Sequence, residues 1–115
     1  MADKPAPGPA SRPQQVFTLV VEVGRAPDDG LPKRATGAAL LCYASGVDEA
    51  EAVREAVTVL KQADLAPLDV TGYGTLAEQE EMGHEIGPEE RALMARALAE
   101  NAVIVAQMTP FFPDD

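Results

Sequence analysis

The sequence predicts an α+β domain: a two-layer sandwich in which a four-stranded mixed sheet, in ββαβαβ order, carries two helices on one face. Three observations point there. Two β-rich runs stand near the start, at 16–23 and 36–44. Two helix-plus-strand units follow, each with its own start and stop signals. Hydrophobic residues make up 46% of the 115, enough for a core built mainly from Val, Leu and Ala, since Trp is absent.

Residues 1–15 are set aside as a disordered leader, because Pro5, Pro7, Pro9 and Pro13 alternate with residues that favour extended chain. The ordered domain is expected over 16–110, with an aromatic and acidic tail at 111–115. The first strand, 16–23, puts Phe17, Leu19, Val21 and Val23 on one face and Thr18 and Glu22 on the other. A turn-rich loop runs from Gly24 to Arg34, with Asp28-Asp29-Gly30 as a turn rather than a calcium loop. The second strand, 36–44, is apolar on both faces through Ala38, Leu40, Leu41, Cys42 and Tyr43, so it belongs inside the sheet. The two strands pair as a long-looped antiparallel hairpin.

Asp48 and Glu51 form a capping-box pattern that opens the first helix. Ala50, Val53, Val57 and Leu60 recur at helical spacing, and Pro67 ends the element. A third strand is expected at 68–76, reached by a crossover that makes its pairing parallel. Residues 77–87 fit no single element, since 77–82 suits a helical turn that Gly83 and Gly87 break. Pro88, Glu89 and Glu90 suit the start of a second helix, with Leu93, Met94, Ala97 and Leu98 as its core stripe. Asn101 suits the left-handed position that closes it. Residues 102–108 are a nearly continuous apolar run, read as a central strand that Pro110 stops.

Charge then narrows the function. Nineteen Asp and Glu stand against nine Lys and Arg, a net charge of −10. Residues 1–40 hold five basic and four acidic side chains, so 41–115 carry a net of −11. That balance argues against a nucleic-acid partner, which needs cations to neutralise phosphates. No apolar run approaches the 20 or so residues that cross a bilayer, and no signal-peptide pattern opens the chain, so no membrane partner is expected. The lone Cys42 forms no intramolecular disulfide and fits a cytoplasmic setting.

The chemistry-bearing residues are few. His84 is the only histidine, set in the densest polar cluster of the chain, and Glu81 precedes it at Glu-x-x-His spacing. Di-metal sites need a second copy of that motif, so a solvated acidic loop explains the same residues and no metal or cofactor is expected. Cys42, between Leu41 and Tyr43, reads as a small buried hydrophobe and not as a reactive thiolate. Gly72-Tyr73-Gly74 lacks the third glycine and the lysine of a phosphate loop, which leaves a strand bulge as its reading.

Two function classes survive. The first is a small non-catalytic interaction or regulatory protein. With both helices on one sheet face, the other would expose Val16, Val20, Leu41 or Leu40, and Tyr43, and self-association would cover them. Tyr43 and the terminal pair Phe111 and Phe112 are its candidate partner-binding residues. The second class is a small-molecule or metal-binding protein, or a minor enzyme, using Tyr73, Glu81 and His84.

Overall fold

The first strand buries one fully apolar face and part of the other, the second is apolar on both, and that property organises the fold. In the computed structural model, which describes residues 13–113, β1 (Gln15–Gly24) and β2 (Gly37–Gly46) pair as an antiparallel hairpin. Leu19 stands opposite Cys42, and Val21 opposite Leu40. Then come α1 (Glu49–Gln62), β3 (Ala66–Thr75), α2 (Leu76–Glu81), α3 (Pro88–Glu100) and β4 (Val103–Phe111). The sheet order is β3-β1-β2-β4 and every neighbouring pair is antiparallel. The result is an α+β fold with an open four-stranded sheet and three helices.

This order corrects the expected mixed sheet. β2 and β3 do run in the same direction on either side of the α1 crossover, but β1 lies between them and pairs with both. Because β3 takes the free edge of β1, no parallel ladder forms. β4 takes the free edge of β2, so it is an edge strand and not the central one its apolar run suggested.

The helices also divide, which corrects the two-layer sandwich with helices on one face. Side chains alternate across a strand, so each strand feeds both faces. On one face Leu19, Val21, Leu40 and Cys42 pack with Ala52, Ala56 and Leu60 of α1. On the other, Val16 and Tyr43 pack with Met94 and Ala97 of α3, joined by Leu76 at the start of α2. The sheet is therefore the middle of three layers. Leaving Val16 and Tyr43 bare would forfeit about 25 cal/mol per Å² of apolar surface, and the chain's own third helix removes that cost.

Local signals explain the helix ends. Asp48 caps α1 by accepting from Glu51 N at 2.8 Å, and Glu51 Oε1 accepts from Val47 N at 2.8 Å. The buried line of α1 is Ala52, Ala56 and Leu60, with Val53 at its margin, and not the stripe through Ala50 and Val57. Small residues face the sheet because the helix sits close to it. At Gly46 an added Cβ would lie 2.8 Å from Ala52 N. The helix stops before Pro67, at a left-handed Asp64 (φ 67°), where Leu65 N donates to Leu60 O at 3.0 Å. α2 occupies part of the segment that fitted no element, opened by a capping box between Thr75 and Glu78. α3 begins at Pro88 and closes on left-handed Asn101 (φ 50°), as its residues predict.

The β1–β2 loop is stapled beneath the α1 face, where Leu31 and Ala35 join the core. Arg25 Nε donates to Asp29 Oδ2 at 2.9 Å, and Asp29 Oδ1 accepts from Leu31 N at 3.0 Å. The Arg25 hydrogen bond, and then those from Ala26 and Leu31, hold the Asp29 carboxyl down to about 2. Residues 1–12 of the expected leader, and Asp114 and Asp115 of the tail, lie outside the described residues. Among the described residues, no helix is long and apolar enough to cross a membrane.

Candidate functional site

α3 covers only part of its sheet face, and the remainder is a cavity. Met94 and Ala97 sit over Val16 and Tyr43, while Val20 and Leu41 further along the strands are only half-buried. Beside that step lies a cavity of about 330 Å³ with Val20 and Leu41 as its floor. Tyr73 from β3, Gln79 from α2 and Met94 from α3 wall it. The 84–86 loop and Glu90, in the first turn of α3, line its open rim.

That loop is pinned at both ends. His84 N donates to Gln79 O at 3.0 Å, after Gly83 turns the chain in the left-handed region (φ 89°). Arg91 reaches back from α3, donating Nε to Ile86 O at 3.1 Å and pairing with Glu80. Glu90 Oε1 accepts from Gly87 N at 2.8 Å, which fixes that carboxylate at the cavity rim.

Three buried polar side chains meet at this cavity. Gln79 donates its amide nitrogen to Thr18 Oγ1 at 2.8 Å and to the carbonyls of Gly74 and Thr75 at 3.2 and 3.3 Å. Two carbonyl acceptors define which end of the amide is nitrogen, so the oxygen is the end left over. Among the described residues neither Gln79 Oε1 nor the Tyr43 hydroxyl has a hydrogen-bond partner, though the two residues are only 7% and 2% exposed. Buried polar groups are ordinarily paired, and an orphan costs about 1–3 kcal/mol. Burial, and after it the negative Glu90 carboxylate, push the Tyr43 phenol above its ordinary value, so it stays a protonated donor at neutral pH.

The sequence candidates fall into this region unevenly. Tyr73, Glu81 and His84 do line one shallow depression of about 460 Å³, and Tyr73 and His84 also border the cavity. The helical face implied by Glu-x-x-His does not form, because α2 ends at Glu81 and Gly83 breaks the geometry before His84. No group of three His, Cys, Asp or Glu able to hold a metal occurs among the described residues. Cys42 faces α1, with its thiol pushed up to about 11 by burial. The sheet separates it from His84, so no Cys–His pair exists.

Tyr43, Phe111 and Phe112 do not share a surface. Tyr43 is interior, opposite Ile104 at one end of β4, whereas Phe111 ends the same strand opposite Gly37. Phe111 O accepts from Thr36 N at 2.8 Å, and the Phe111 and Phe112 side chains stay partly exposed. Val105 and Met108 on this edge strand, opposite Cys42 and Leu40, are exposed too and were not singled out by the sequence. Thr18 and Gln79 were missed for another reason: 61 positions separate them and no spacing links them. The Thr75–Glu78 capping box was the one available signal for α2, which carries Gln79.

A family model described as "Domain of unknown function (DUF8846)" matches residues 16–112. The chain belongs to this family. The matched span takes in all three helices and all four strands except Gln15 at the start of β1, and with them every residue lining the cavity. No curated protein and no solved structure matches the chain.

Proposed function

We propose that this DUF8846 member is a non-catalytic small-molecule-binding domain whose ligand occupies the cavity between the sheet and the 84–86 loop. The observation that carries the reading is the unspent polar capacity of two buried side chains, the Tyr43 hydroxyl and Gln79 Oε1, at one cavity. An apolar floor with a few convergent polar groups is the usual make-up of a ligand site. The single thiol, buried and pushed up to about 11, supports binding over nucleophilic catalysis. A cytoplasmic setting, with no nucleic-acid partner, belongs to the same reading and is supported by the single buried cysteine and the net charge of −10. A fragment screen followed by ¹H–¹⁵N NMR tests it. Hits should shift the Gln79 side-chain amide and the backbone of Tyr43 and Ile86. Failure of every fragment to perturb those signals removes the reading.

Self-association is the second reading, and its location changes. With helices on both sheet faces, the support for it moves from Tyr43 to the edge strand β4, where Val105, Met108, Phe111 and Phe112 are exposed. Sedimentation equilibrium tests it: a dimer dissociated by Val105→Glu supports the edge, and a monomer at millimolar concentration removes it.

A further inference from the structure

We infer that the ligand of this cavity is an organic cation, a protonated amine or guanidinium carried on an apolar or aromatic body. This rests on the ligand-binding reading above and specifies its chemistry.

The polar capacity left at the cavity is chiefly accepting. Gln79 has spent its donors on Thr18, Gly74 and Thr75 and retains an acceptor oxygen. Glu90 uses Oε1 for Gly87 N, and its other oxygen has no hydrogen-bond partner among the described residues. The Tyr43 hydroxyl can accept as well as donate. Glu85 adds a second carboxylate at the rim.

Among the described residues, no Lys or Arg lines the cavity. The Arg91 guanidinium on α3 is committed to Glu80 and to Ile86 O. An anion would therefore meet two carboxylates, with the exposed His84 imidazole as the one lining group able to carry a countercharge. The positive end of α3 offers it nothing either, because Glu89 and Glu90 already fill that first turn.

The rings complete the pattern. Tyr43, buried, and Tyr73, half exposed, border the same cavity from two strands, and an aromatic face attracts a cation. Val20, Leu41 and Met94 supply the apolar contact for the body behind the charge.

Matched probes separate this inference from the reading beneath it. Phenethylammonium, 2-phenylethanol and 3-phenylpropionate share a ring, and hexylammonium, 1-hexanol and heptanoate share a chain. Each is titrated into the full chain at neutral pH and low salt, with NMR shifts at Gln79 and Tyr43 as the readout. The cations should bind about tenfold tighter than their neutral and anionic partners. Glu90→Gln, which keeps an oxygen to cap Gly87, and the exposed rim change Glu85→Gln should each shrink that preference several-fold. If alcohols or acids bind as tightly as the amines, the cation inference fails and the ligand-binding reading stands. If no probe of any charge shifts these signals, both fail.

Discussion

The two faces of one sheet are finished differently. Toward α1, Leu19, Val21, Cys42, Ala52 and Ala56 are wholly buried, and the adjoining loop is locked by Arg25 and Asp29. Toward α3 the same two strands present Val16, Thr18, Val20, Leu41 and Tyr43; the helix covers Val16 and Tyr43 and leaves Val20 and Leu41 half-buried beside the cavity. Burial on the first side is apolar and satisfied. On the second it includes a phenol and an amide oxygen without hydrogen-bond partners among the described residues. Under the proposed function the two faces have distinct tasks: the α1 side supplies stability, and the α3 side keeps capacity for a ligand.

Substitutions should expose that contrast, the largest effect coming from the α1 side. Leu60→Ala removes a buried side chain from a close-packed cluster and should cost about 2–5 kcal/mol in urea unfolding. Leu41→Ala, on the cavity floor, should cost only about 1 kcal/mol, since its side chain is half-buried beside empty space. Equal losses at the two positions would mean that the α3 face is as tightly packed as the other.

The loop staple gives the α1 side a pH signature. The folded-state value of Asp29 is lowered, so its stabilisation is complete above the unfolded value of 3.8 and is lost as pH falls towards about 2. Urea unfolding from pH 5 down to pH 2 should show stability falling through this window. Asp29→Asn should be less stable at pH 5 and should flatten that part of the profile. An unchanged slope in the variant would show that the staple contributes nothing to acid sensitivity.

Much of this fold was legible in the sequence, for local reasons. Asp48 with Glu51, and Pro88 with Asn101, fixed two helices because caps act within a few residues. Alternation in 16–23 and the two-sided apolar run in 38–43 located the central hairpin. Alternation reports that a strand has two faces but not which face a later helix will cover, so both helices were put on one side. The two-sided apolar pattern of β2 in fact calls for two covers, one for Cys42 and one for Tyr43. Likewise the crossover through α1 implied parallel neighbours, because nothing local says that β1 stands between β2 and β3.

The site was legible only at its rim. Tyr73 and His84 stood out as isolated chemistry in an acidic stretch, and they do border the cavity. Thr18, Tyr43 and Gln79 come from three elements, and only the folded chain brings them together. Tyr43 was singled out, but as a surface residue. Its role inverted once the face it lies on proved to be covered.

The smallest expected effect is also the most direct test of the account. Tyr43→Phe deletes one hydroxyl from a buried ring and is measured by urea unfolding of the ligand-free protein. A phenol that holds a hydrogen bond loses about 1 kcal/mol or more on this change, but an orphan phenol loses nothing. The variant should match the parent within about 0.5 kcal/mol or exceed it, while its NMR response to cavity-binding fragments weakens. A clear loss of stability with unchanged fragment binding would show that the hydroxyl serves the fold, and would contradict the claim that this face is held open for a ligand.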